Sequence, residues 1–85
     1  MATVEPYEGL ASLSPENGGL EVVVLVELSE LGEGRGWHGR AWADHPWLLA
    51  HVGLWMTVRT SDGEGRALLT NAEGLLAGAG PPPWR

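Results

Sequence analysis

Apolar and polar residues alternate with a period of two over most of this chain, the signature of half-buried β-strands. Leu20 to Ser29 carries the pattern most strongly. Leu20, Val22, Val24, Val26 and Leu28 form one wholly apolar face, which the pattern assigns to the core. The opposite face is mixed, with Glu21, Glu27 and Ser29 beside Val23 and Leu25. The valines at 22, 23, 24 and 26 favour strand over helix. An apolar centre on both faces calls for a second cover, from a barrel wall, the C-terminal tail or another subunit.

The same alternation marks other segments. Pro6 to Ser14 sets Tyr7, Gly9, Ala11 and Leu13 on one face. Trp37 to Ala43 sets Trp37, Gly39, Ala41 and Ala43 against His38, Arg40 and Trp42. Gly39 there bends the strand or lets a neighbour approach the backbone closely. Leu54 to Thr60 turns Leu54, Met56 and Val58 inward and Trp55, Thr57 and Arg59 outward. Arg66 to Asn71 and a weaker Glu73 to Ala79 complete the set. Pro15 to Gly19, with its Asn17-Gly18 pair, and Ser61 to Gly65 read as hairpin turns. Glu30 to Gly36 reads as a loop, and residues 1–5 as a frayed start. The period breaks after Asp44, an N-cap residue type followed by Pro46 at a first-turn position. This predicts one short helix near residues 46–52. The expected fold is mainly β: a small antiparallel β-barrel or half-open roll of five to six strands with that helix.

With 85 residues the chain is expected to form a single β domain over 1–85, with 81–85 as an extended Pro-rich tail. It has no cysteine, which removes disulfides, thiolate nucleophiles and Cys-ligated zinc from consideration. The net charge is -6, and it is unevenly placed: residues 1–34 hold seven acids and no base, while 35–85 carry four acids and five arginines. An acidic chain is a poor partner for nucleic acid or an anionic membrane. No apolar run reaches the roughly 20 residues of a membrane span, and no signal peptide is evident. The expectation is a cytoplasmic protein with no nucleic-acid or membrane partner and no cofactor.

Five tryptophans are the most unusual feature of the composition. They serve either to fill the core of a domain that lacks phenylalanine or to wall a ligand site. His38, Arg40 and Trp42 project from one strand face at i, i+2 and i+4, and Trp55 and Arg59 lie on the polar-bearing side of another strand. These five residues are the ligand-binding candidates. An arginine beside an aromatic and an imidazole can bind a carboxylate, phenolate or enolate and move a proton. The same face is equally an ordinary solvated one, with Arg40 paired to Glu27 or Glu21. His38, His45 and His51 match no metal template, so no metal is expected. His51, four residues after Trp47, can stack on it. No serine sits in a nucleophile elbow, and Gly32-x-Gly34-x-Gly36 enters a strand rather than a helix, unlike a dinucleotide fingerprint. Pro81-Pro82-Pro83-Trp84 either runs as polyproline towards an aromatic groove or folds back to lock the barrel through Trp84.

Several short motifs together resemble a small actinobacterial domain-of-unknown-function family. They are Tyr7-Glu8-Gly9-Leu10-Ala11, the valine strand, Trp37-His38-Gly39-Arg40, Arg59-Thr60-x-x-Gly63, and the ending Gly78-Ala79-Gly80-Pro81-Pro82-Pro83-Trp84. That family occurs as stand-alone β proteins and as a C-terminal appendage of flavin-containing monooxygenases. The resemblance implies no catalytic residues. Its shared ending favours the internal lock for the tail.

Two functions are compatible with these residues. The first is a small-molecule-binding β-barrel, an accessory or tailoring protein for an apolar or aromatic metabolite, with proton transfer, cyclisation or isomerisation as its chemistry if it is an enzyme. The second is a non-catalytic interaction or dimerisation module partnering a larger enzyme such as a flavin-dependent monooxygenase. In that reading Val23, Leu25 and Trp84 are interface candidates, exposed sheet edges invite a partner, and a homodimer is expected.

Overall fold

A computed structural model describes residues 6–31 and 36–84. The expectations for residues 1–5 and for the centre of the 30–36 loop lie outside the described residues. The chain runs β1 (Tyr7–Pro15), β2 (Val22–Glu30), β3 (Trp37–Trp42), α1 (His45–His51), β4 (Trp55–Thr60), β5 (Gly63–Leu69) and β6 (Leu75–Ala79). The six strands close into an antiparallel barrel in the order β1-β2-β3-β6-β5-β4. Closure pairs every described strand on both sides. The exposed edges expected of a half-open sheet are therefore absent, and so is the route to strand addition.

β1 makes the closure by dividing its partners. Its first part pairs β2, from Tyr7↔Leu28 to Leu13↔Val22. Its last part, from Ser12↔Arg59 to Pro15↔Met56, pairs β4. Because β1 leaves β2 at Leu13, β2 begins at Val22, and Leu20, expected in the core, is 74% exposed. Its carbonyl instead accepts a hydrogen bond from Trp47 Nε1 at 3.3 Å.

Two further boundaries moved. The hairpin between β4 and β5 turns on Ser61 and Asp62 alone, with Thr60 opposite Gly63. Glu64 and Gly65 join the ladder because Glu64 lies opposite Arg59 and bonds it at 3.0 Å. The helix starts at His45, and Asp44 stands before it without a side-chain cap bond; its carbonyl accepts from the Leu48 N–H at 3.0 Å.

Inward residues fill the barrel: Leu13, Val26, Leu28, Trp37, Met56, Val58 and Leu69 are all at most 1% exposed. Trp37 is the largest, and Gly78 provides its seat. A Cβ on Gly78 would coincide with the indole ring, so only glycine admits it. Gly39 serves β2 in the same way, since a Cβ there would collide with the Glu27 carbonyl oxygen.

Both ends of the barrel are closed. One end collects the C-terminal ends of β1, β3 and β5 and the starts of β2, β4 and β6. There α1 links β3 to β4 and drops Leu48, 4% exposed, onto the core. The other end holds the start of β3 and the end of β4, and the tail covers it. Trp84, 9% exposed, stands edge-to-face on Trp37 with ring centroids 5.8 Å apart. Thr60 Oγ1 donates to the Pro83 carbonyl at 2.7 Å and accepts from the Asp62 N–H. Of the two courses open to the tail, the structure shows the internal lock.

Candidate functional site

The five ligand-binding candidates fall into two groups on opposite walls. His38, Arg40 and Trp42 lie on β3, and Trp55 and Arg59 lie on β4. The two strands are three apart in either direction around a six-stranded barrel. All five side chains point outward, as the alternation required. Period two decides the face of a strand and not which strands adjoin, so a single wall containing both tryptophans does not form.

Register assembles a different surface on β1, β2 and β3. Leu10 lies opposite Leu25, and Leu25 opposite Trp42. These three outward residues make one row across three strands and are 61%, 56% and 45% exposed. Val23, two positions along β2, extends the row and is also exposed. The adjoining row is charged: Glu8 opposite Glu27, and Glu27 opposite Arg40. Neither the barrel wall nor the tail covers this face, so the second cover expected over Val23 and Leu25 is not supplied by the described chain.

Arg40 is held in place without a carboxylate. Its guanidinium lies 5.4 Å from the centroid of the Trp42 ring, and its Nε donates to the Glu73 carbonyl at 3.3 Å. The expected pair with Glu27 or Glu21 does not form among the described residues; Glu27 is a register neighbour of Arg40 and not an ion pair. Leu25, Glu8, Glu27 and Trp42 border a shallow depression of about 300 Å³. A larger open depression of about 700 Å³ lies on the other side of Trp42, between the start of β2 and α1, bounded by Leu20, Val23, Asp44 and Trp47. Trp47 stacks on His51 as expected, with centroids 4.3 Å apart.

The opposite wall is committed to internal pairs. Arg66, unnoticed in the sequence, lies 4.6 Å from the Trp55 ring centroid and grips both carboxylate oxygens of Glu16, at 2.6 and 3.0 Å. The hydrogen bonds from Arg66 hold the Glu16 carboxyl below its ordinary value of 4.5, against a smaller opposing effect of burial. Arg59 pairs with Glu64.

The chemistry available to the candidates is limited by exposure. His38 is exposed, with Ser29 and Ala77 as its cross-strand neighbours, so neither of these positions supplies a carboxylate to orient its ring. The described residues contain no cluster of three or more metal-ligating side chains. No helix among them is long and apolar enough to cross a membrane. Trp84, an interface candidate, is buried against Trp37. Sequence reasoning missed Leu10 and Glu8. The signal for Leu10 was present, since it is the one apolar residue on the outward face formed by Glu8, Leu10, Ser12 and Ser14. Compared with known proteins, the chain matches no family model, no curated protein and no solved structure.

Proposed function

We propose that this protein is a non-catalytic interaction module that docks through the outer face of β1, β2 and β3. One observation carries the reading: an apolar row of Leu10, Leu25 and Trp42, with Val23 beside it, lies exposed on a barrel whose interior is filled and whose ends are plugged. Apolar residues exposed singly are ordinary on a protein surface, as Leu49 and Leu75 are here, whereas contiguous ones running across neighbouring strands mark interaction sites. The charged row beside it, Glu8, Glu27 and Arg40, sets register and excludes wrong partners more than it adds affinity. The resemblance noted above makes a flavin-dependent monooxygenase the first larger partner to try.

The test places a photo-crosslinking amino acid at Leu25 and, separately, at Thr57 on β4, outside the docking face. Adducts are expected from position 25 and not from position 57, and their mass separates a second copy from a larger protein. Equal or reversed labelling overturns the assignment of the face.

The small-molecule reading finds its larger described seat in the 700 Å³ depression where Trp42 and Trp47 flank Leu20. A filled barrel leaves an apolar or aromatic metabolite only such an external seat. Native mass spectrometry tests it: a non-covalent mass that disappears on denaturation supports this reading, and a bare chain opposes it.

A further inference from the structure

The docking face is self-complementary about one axis. Register places Glu8, Glu27 and Arg40 in one row across β1, β2 and β3, and Leu10, Leu25 and Trp42 in the next. A two-fold axis lying in the face and parallel to β2 exchanges β1 with β3 and keeps each row at its own height. We infer that the occupant of this face is a second copy of the chain, packed about that axis, with Glu8 of each copy set against Arg40 of the other. The inference rests on the docking reading above and names its partner.

Three features of the molecule support it. Among the described residues Glu8 makes no ion pair, and the terminal nitrogens of Arg40 make no hydrogen bond; only its Nε does. A carboxylate and a guanidinium fork are thus both available at matching heights, the geometry that favours a bidentate pair. The apolar row then packs on itself, Leu25 on Leu25, Val23 on Val23 and Leu10 on Trp42. The other in-plane axis, perpendicular to β2, sets Arg40 against Asp44 but Glu8 against Ser12 and Glu27 against Val23, which desolvates two carboxylates of each copy without a partner.

Shape follows the same order. Two barrels are convex towards each other, so the gap is narrowest at β2 and widens at the flanking strands, about 4.8 Å to either side. In the apolar row the short side chains Val23 and Leu25 stand on β2 and the long Trp42 stands on β3, with Leu10 opposite on β1; in the charged row Glu27 on β2 is as long as Glu8 and must splay from the axis. The arrangement has one cost: Glu27 comes near its own copy across the axis.

The face covers three strands, so association belongs to the weak class, below about 1,200 Å² of total buried surface. Sedimentation velocity over a concentration series measures it. The wild-type chain is expected to dimerise reversibly. Glu8→Arg and Arg40→Glu are each expected to weaken the dimer about tenfold or more, because two attractions become two repulsions. An equimolar mixture of the two variants should recover the dimer, since both mixed pairs are then opposite in sign. Glu27→Gln should tighten it. All three positions are exposed, and unchanged circular dichroism checks that the fold is kept. If a charge reversal does not fold, Glu8→Gln and Arg40→Gln remove the pair without reversing it and should each weaken the dimer. A monomer at every concentration overturns the inference, and so does a dimer indifferent to the reversals or a mixture that stays monomeric. A monomer that still crosslinks from position 25 to a larger protein overturns the dimer and leaves the docking face standing; loss of the position preference as well removes both.

Discussion

Replacing Trp84 by alanine tests whether the tail is part of the barrel or an appendage to it. The indole is 9% exposed and meets Trp37 edge-to-face. Truncating a buried tryptophan to alanine costs about 3–5 kcal/mol, of which an aromatic pair accounts for about 0.5–1.5 kcal/mol. A site at the end of a barrel collapses more readily than one at its centre, so about 3 kcal/mol is expected. A domain of this length has on the order of 4–13 kcal/mol in total. A loss of about 3 kcal/mol lowers Tm by about 12–24 °C. Thr60→Val supplies the second arm. It strips the buried Pro83 carbonyl of its donor, at about 1–2 kcal/mol. If Trp84 and Pro83 are anchored as one unit, the carbonyl is already released in Trp84→Ala, and Thr60→Val then costs little more. The double-mutant cycle should show a coupling of about 1 kcal/mol. Urea titrations followed by far-ultraviolet circular dichroism read all four proteins without relying on the deleted fluorophore. A Trp84→Ala loss below about 1 kcal/mol, or additivity within about 0.5 kcal/mol, refutes the lock.

Further expectations concern the barrel itself. Gly78→Ala should cost more than about 3 kcal/mol or prevent folding, since its methyl would occupy the Trp37 ring position; a stable variant in a thermal melt contradicts that seat. Leu13→Ala should destabilise by about 2–5 kcal/mol while Leu10→Ala, on the outward face of the same strand, changes stability by less than about 0.5 kcal/mol; equal effects in urea titration would refute the in/out assignment. Glu16 titrates below 4.5 in the folded state because Arg66 bonds its charged form. Its contribution is therefore present above that pH and is lost as pH falls through the lowered value. Arg66→Gln should flatten the acid limb of the stability profile below about pH 4.5, a small effect at an exposed pair, and an unchanged limb contradicts the link.

The sequence determined the strands and their faces. Alternation in Leu20 to Ser29 and Leu54 to Thr60 identified Val26, Leu28, Met56 and Val58 as inward, and all are at most 1% exposed; in Trp37 to Ala43 it separated Trp37 from His38, Arg40 and Trp42, and Trp37 is the buried one. It also left Val23, Leu25, His38, Arg40 and Trp42 outward, where they are. That much is local: successive side chains of a strand point to opposite sides whatever the neighbours are. Which strands adjoin is not local. The tertiary structure decided that β1 turns from β2 to β4, which closes the barrel and leaves Leu20 outside. It also set Trp42 and Trp55 on opposite walls and ran Leu10 beside Leu25. These follow from pairing between segments far apart in the chain, and alternation carries no information about the partner. The tail shows the same division. Three prolines prescribe an extended course, but only the open barrel end above Trp37, with Thr60 ready to donate, decides where Trp84 comes to rest.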